Sequence, residues 1–212
     1  MSAPALVLFD LDGVLVHYRH DVRVGTLAQC LGVTPARVEA ALFGSGLEHT
    51  SDLGEFDTGG HVAELARRLG VKVTLDDCLA ARAAAMRVDP AVLALAAAVA
   101  AETQVAILTN NGLMLREHLD TLCPALAPVF AGRVFCSAQF RIGKPDPRVF
   151  AACLRELGVA PEDALFVDDK AENAEGARRA GLHAHHFTGA ASLRAAFQQH
   201  GLRAAYAGEI RA

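Results

Sequence analysis

Apolar positions follow two alternating textures along the chain. Short unbroken runs, at Ala5–Phe9, Gln104–Leu108, Arg133–Cys136 and Ala164–Val167, have no polar face to give to water and predict strands buried on both sides. His183 to Phe187 predicts a fifth, more polar strand. Between them, apolar residues recur every three or four positions and predict helices near 22 to 31, 35 to 43, 59 to 69, 75 to 87, 91 to 102, from 147 to 157, 172 to 180 and 192 to 200. Several helix starts are marked chemically. Thr34-Pro35 and Asp89-Pro90 place a capping side chain before a proline at the first helical position, and Thr74 precedes Asp76 and Asp77. The stripe Val149, Phe150, Cys153, Leu154 and Leu157 ends at Gly158, a helix stop. Gly44 to Glu55 is polar and glycine-punctuated and reads as a loop at a surface or a mouth.

Alternation of strands and helices after residue 89 predicts an α/β fold with a Rossmann-like parallel sheet. The sheet is interrupted directly after its first strand by an all-helical insert. The division is a core of residues 1–16 and 89–212 with a helical cap of residues 17–88. Most strand-to-helix connections are short, so a folded insertion this long, placed beside the first strand's carboxyl end, reads as a lid.

Composition narrows the partner. The 212 residues are 52% hydrophobic, enough for a substantial core, and the net charge of −4 comes without basic clusters, which argues against nucleic acid. Five scattered cysteines (Cys30, Cys78, Cys123, Cys136, Cys153) contain no Cys-x-x-Cys, so neither a disulfide framework nor a zinc site is expected. The chain shows neither a signal segment nor an apolar stretch long enough to span a bilayer, and a cytoplasmic location with no membrane partner is the expectation. Nothing in the sequence fixes an oligomeric state.

Candidate chemistry sits at strand ends, where open α/β sheets bind ligands. Asp10 and Asp12 follow the first strand at i and i+2, sending both acids roughly one way, and Gly13 lets the chain turn. Thr109-Asn110-Asn111-Gly112 follows the second strand with a hydroxyl, an amide and backbone N–H groups at a helix start, which suits phosphate. Gly143-Lys144-Pro145-Asp146-Pro147 holds one lysine on a stiff turn. Asp168-Asp169 ends the fourth strand, with Asn173 one helical turn later.

In chain order, Phe9-Asp10-Leu11-Asp12-Gly13, Leu108-Thr109-Asn110, Gly143-Lys144-Pro145 and Phe166-Val167-Asp168-Asp169 resemble the four motifs of the haloacid dehalogenase-like hydrolase superfamily, and the insert resembles its helical C1 cap. Gly54-Glu55-Phe56 and the stretches around Lys144 and Asp168 are further similar to the sugar-phosphate phosphatases that include bacterial glucose-1-phosphate phosphatase, and to the N-terminal phosphatase domain of soluble epoxide hydrolases. The resemblance implies a Mg²⁺-dependent phosphatase acting on a small phosphorylated metabolite, such as a sugar phosphate. It implies Asp10 as the nucleophile forming an aspartyl-phosphate, and Asp12 as the acid that protonates the leaving oxygen and then takes a proton from water. Thr109 and the Asn110 N–H would hold phosphoryl oxygens, and Lys144 would offset charge. Mg²⁺ would be held by Asp10, the main-chain carbonyl of Asp12 and Asp169, with Asp168 acting through water and Asn173 orienting it. Alternatives are a phosphomutase, a phosphonatase using Lys72, or a module that binds a phosphorylated ligand without turning it over. His17 stands where many relatives carry an acid and receives no role. Glu48 and His49 are the expected polar contacts from the cap to the leaving group.

Overall fold

The computed structural model describes residues 3–203. The chain begins with β1 (Leu6–Phe9) and β2 (Val16–Tyr18). The insert follows as α1 (His20–Leu31), α2 (Pro35–Glu39), a π-helical turn at Ala40–Gly44, α3 (Leu47–Asp52), α4 (Thr58–Leu69) and α5 (Leu75–Ala84). After β3 (Met86–Val88) come α6 (Pro90–Val99), β4 (Gln104–Thr109) and the short helices α7 (Leu113–Glu117), α8 (Leu119–Leu122) and α9 (Ala127–Phe130). The remainder is β5 (Val134–Cys136), α10 (Ser137–Phe140), α11 (Pro147–Leu157), β6 (Ala164–Asp168), α12 (Ala171–Arg179), β7 (His183–His186) and α13 (Ala190–Gln199).

Five strands form one parallel sheet in the order β5-β4-β1-β6-β7, so the apolar run at the N-terminus lies at its centre. Successive side chains of a strand point to opposite faces, and both faces here are covered. Val7 and Phe9 join Ile107 and Val167 beneath α6 and α13, where Phe9 meets Phe130 and Phe197 edge-on at 5.8 and 6.5 Å. Leu6 and Leu8 join Leu108 and Phe166 beneath α11, with Phe150 edge-on to Phe166 at 5.0 Å. Edge-on aromatic pairs of this kind are worth about 0.5–1.5 kcal/mol beyond the area they bury.

The helix starts form as their caps dictate. Thr34 accepts from Arg37 N–H, Asp89 from Ala91 and Val92, and Asp146 from Arg148, while Thr74 and Asp77 make a reciprocal capping box. The insert has an apolar cluster of its own, including Val24, Leu27, Leu42, Leu47, Leu65 and Leu69. β2 and β3 pair antiparallel at its base, and the predicted boundaries at 16/17 and 88/89 fall in this ribbon.

Three expectations need correction. The stretch Gly44 to Glu55 is not a loop: α3 occupies its centre, because Leu47 and Ser51 share one buried face at i and i+4. Helix 75 to 87 stops at Ala84, since Met86, Arg87 and Val88 are taken by the ribbon. Residues 35 to 43 give five residues of α-helix and then a π turn. No helix among the described residues is long and apolar enough to cross a membrane. Cys30 is exposed and the other four cysteines are buried, all as free thiols.

Candidate active site

The carboxyl ends of three strands converge on Lys144. Its ammonium lies 2.8 Å from Asp10 at the end of β1 and 2.6 Å from Asp168 at the end of β6, with all three side chains buried. Asn110, at the end of β4, fixes the lysine's backbone. Its amide donates to Lys144 C=O (2.9 Å) and accepts from Lys144 N–H (2.8 Å). The Asn110 side chain is therefore spent on the lysine loop. Pro145 of the same loop packs on α12 at Gly176, where a Cβ would lie 2.2 Å from the Pro145 carbonyl.

Asp168 is saturated with hydrogen bonds. Lys144 and Asn173 donate to Oδ2, and Asn173 and Lys170 N–H to Oδ1, at 2.6–3.0 Å. Asn173 so orients Asp168 through both of its oxygens. Asp169 contrasts with it: Oδ1 is buried and accepts no hydrogen bond from the described residues. Gly13, at φ 93°, is required here twice over, by its left-handed backbone and because a Cβ would sit 2.4 Å from Asp169 Oδ2.

Asp10 Oδ1 accepts the N–H of Leu11 at 2.7 Å. Burial pushes its carboxyl up to about 7, with Lys144 pulling it back and Asp168 pushing it further up. Lys144 is held above its ordinary range: burial pulls it down, but the charges and hydrogen bonds of Asp10 and Asp168 outweigh that. Burial and then Asp168 raise Asp169. Carboxylate oxygens of Asp10, Asp168 and Asp169 lie within 4.8 Å of one another. Two unit charges at ~4 Å repel by about 4 kcal/mol at an effective dielectric of 20, so one ammonium leaves this group short of positive charge. An all-oxygen donor set with one unpartnered buried oxygen fits a hard divalent cation such as Mg²⁺.

Asp12 leans toward the insert. Its Oδ2 accepts from Arg82 of α5 at 2.5 Å and from Asn111 Nδ2 at 3.3 Å, while Oδ1 is buried without a partner. Arg82 is itself buried, lies 4.4 Å over the Tyr18 ring and donates to Asn111 Oδ1 at 3.2 Å. Asn111 Nδ2 also donates to Thr109 Oγ1 at 2.8 Å, which ties the buried Thr109 hydroxyl to the same network. Neither Arg82 nor Asn111 was among the expected site residues. A faint signal for Arg82 existed, because it lies four residues after Cys78 on the buried face of α5.

Behind Arg82 and Asn111 is a cavity between the insert and the sheet's loops, with a volume of about 30 Å³. Arg23, Glu48, Ser51, Asp52 and His61 supply its polar wall, and Phe56, Leu113, Met114, Leu115 and Leu122 its apolar wall. Arg23 and Glu48 form a two-pronged ion pair. Ser137 of α10 closes the seam by donating to Asp52 C=O at 2.7 Å. Glu48, expected as a contact to the leaving group, lines the cavity as the partner of an arginine. His49 does not line it and is exposed, because it lies on the opposite side of α3 from buried Leu47 and Ser51. His17 is half-exposed and sits 3.3 Å from Asp89 at the ribbon. His186 Nε2 is 3.0 Å from Asp169 C=O, since β7 pairs with β6.

The model of the haloacid dehalogenase-like hydrolases matches residues 4–181, most of the chain. The chain belongs to that family. Among curated proteins, phosphatase MT3486 of Mycobacterium tuberculosis is 39% identical over 82 residues, which is 39% of this chain and 37% of that protein. Phosphoserine phosphatase of Thermus thermophilus is 48% identical over 52 residues, 24% of this chain and 21% of its own. The matches thus span 37% and 21% of these relatives' own lengths. Among solved structures, a HAD family enzyme from Bacteroides thetaiotaomicron in complex with magnesium and inorganic phosphate shares the fold. Its TM-score is 0.71 at 18% identity, covering 86% of this chain and 93% of that one.

Proposed function

We propose that this family member is a Mg²⁺-dependent phosphatase that hydrolyses a small phosphorylated metabolite through an aspartyl-phosphate on Asp10. The observation that carries the reading is the convergence on Lys144 of Asp10 and Asp168, with Asp12 two residues beyond Asp10 and turned toward the cap. Phosphoryl transfer needs positioning and charge compensation more than covalent chemistry, and this arrangement supplies both. Phosphatases among the relatives and a structural neighbour holding magnesium and phosphate support it.

Asp10 Oδ1 is engaged by Leu11 N–H and Lys144, which orients the carboxylate and leaves its second oxygen to attack phosphorus. The P–O bond to the leaving group breaks as the Asp10–P bond forms, and Asp12 gives its proton to the departing oxygen. In the second half, Asp12 takes a proton from water as that water attacks the aspartyl-phosphate and frees Asp10. Thr109 and the Asn110 N–H would hold phosphoryl oxygens. Asp10, Asp169 and the Asp12 main-chain carbonyl would hold Mg²⁺, which would offset charge on the transferring group, while Asp168, its oxygens taken by Lys144, Lys170 and Asn173, would hold the lysine in place. Arg82, reaching Asp12 from the cap, fixes the acid's orientation. The insert then serves as a cap over residues 17–88, closing the leaving-group side.

The test is phosphate release from a panel of phosphorylated metabolites. Release that needs magnesium, stops in chelator and is lost in Asp10→Asn is expected. Release undiminished in Asp10→Asn would overturn the reading, and binding of phosphorylated ligands with no release from any of them would favour the binding-module alternative.

A further inference from the structure

Each guanidinium in the wall of the cap cavity already has a carboxylate partner. Arg23 is paired with Glu48, and Arg82 with Asp12. Burial, with Glu48 adding to it, pushes the Asp52 carboxyl up to about 8, so it is uncharged at neutral pH. Asp57, at the rim, caps α4 through Gly60 N–H. A second phosphate or a carboxylate on the ligand would face Glu48 without a free cation, and an ammonium would face Arg23 without a free anion. Desolvating such a charge costs more than an unpaired contact returns. The wall is built for an uncharged group.

It is nonetheless short of hydrogen-bond partners. The Asp52 side chain makes no hydrogen bond among the described residues, and its Oδ1 is sealed from solvent. Ser51 Oγ lies 2.8 Å from Leu47 C=O and 2.7 Å from His61 Nδ1, which fixes the orientation of the ring. Burial holds His61 below its ordinary range, against the pull of Glu48. Its Nε2 has no hydrogen-bond partner among the described residues, and a hydroxyl, which both donates and accepts, can pair with it whichever ring nitrogen carries the proton. A buried polar atom without a partner, as Asp52 Oδ1 is here, is costly, and a ligand hydroxyl would supply the missing partner. The cavity's volume of about 30 Å³ limits the group to a few atoms, and its Leu and Met side suits the carbon that carries the hydroxyl.

Resting on the phosphatase reading, we infer that the cavity selects a short, uncharged, hydroxyl-bearing leaving group, that of a small polyol phosphate, through His61 Nε2 and the Asp52 carboxyl. Sited behind the partners of Asp12, it would receive the part of the substrate beyond the oxygen that Asp12 protonates.

Steady-state kinetics with glycerol 3-phosphate, n-propyl phosphate, phosphoethanolamine and 3-phosphoglycerate tests this. The first should exceed each of the others in kcat/KM by about tenfold or more, because a site built to bond a hydroxyl rejects the analogue lacking it. In His61→Asn, whose amide can still donate to Ser51 but has no atom at Nε2, the preference for glycerol 3-phosphate over n-propyl phosphate should collapse. Asp52→Asn should weaken it, and circular dichroism would verify that both variants fold. Turnover of all four substrates without preference, or a preference that survives in both variants, overturns the inference. Absence of phosphate release from any substrate, 4-nitrophenyl phosphate included, overturns the phosphatase reading instead.

Discussion

The two polar clusters of this molecule are wired in opposite ways. At the carboxyl ends of the central strands, Asp10 and Asp168 share one ammonium, Lys144, and the Asp169 carboxylate lies beside them. In the cap cavity, each guanidinium has its own carboxylate. The first cluster carries surplus negative charge at fixed positions, which suits a cation and a transferring phosphoryl group. The second is balanced, which suits a neutral ligand. Arg82 joins them, since it belongs to the cap by sequence and to Asp12 by contact.

The largest effect is expected from breaking the first cluster. Lys144→Met should lower phosphate release by about 10⁴-fold or more. It should also cost ~3–5 kcal/mol in urea unfolding, because two buried acids lose their partner. A smaller loss is expected for Asp169→Ala, about 100-fold or more, with activity shifted to higher magnesium in a titration. Arg82→Gln tests the link between clusters. It should reduce kcat by about 10–100-fold, the share a misplaced general acid forfeits, with KM less affected and Arg82→Lys recovering part of the loss.

Asp52 sharpens the comparison through stability. Its carboxyl titrates near 8 in the folded protein against an ordinary 3.8, so between these values the folded state keeps a proton that the unfolded chain has released. Stability therefore fades as pH rises from about 4 toward 8. Asp52→Asn should flatten that slope in urea unfolding between pH 5 and 8, by ~1–3 kcal/mol across the window. The smallest effect belongs to His49→Ala, which should alter kcat/KM by less than about twofold and stability by less than about 0.5 kcal/mol.

The first cluster could be read from the sequence because its residues end apolar strands. Leu6–Phe9 and Ala164–Val167 are unbroken apolar runs, and Asp10, Thr109 and Asp168 follow such runs directly, so strand and site carry one signal. The second cluster is assembled from α1, α3, α4 and α5, and no single helix announces it. Arg23, His61 and Arg82 look like ordinary solvated positions. What sets them apart is register: each lies four residues from a buried apolar residue, Leu27, Leu65 and Cys78, on the inward face. The α3 helix was hidden by the glycines on either side of it. The three-residue strands of the ribbon are too short to show a period, and residues 113 to 130 break into pieces for the same reason.

The central claim is that Asp10 carries the phosphoryl group. The direct measurement is acid quench of the wild-type protein, milliseconds after mixing with a ³²P-labelled phosphomonoester and magnesium, followed by peptide mapping. Label on the peptide bearing Asp10, chased by excess unlabelled substrate and missing in Asp10→Asn, is the predicted result. Turnover with no labelled protein at any quench time, and phosphate release persisting in Asp10→Asn, would contradict the account.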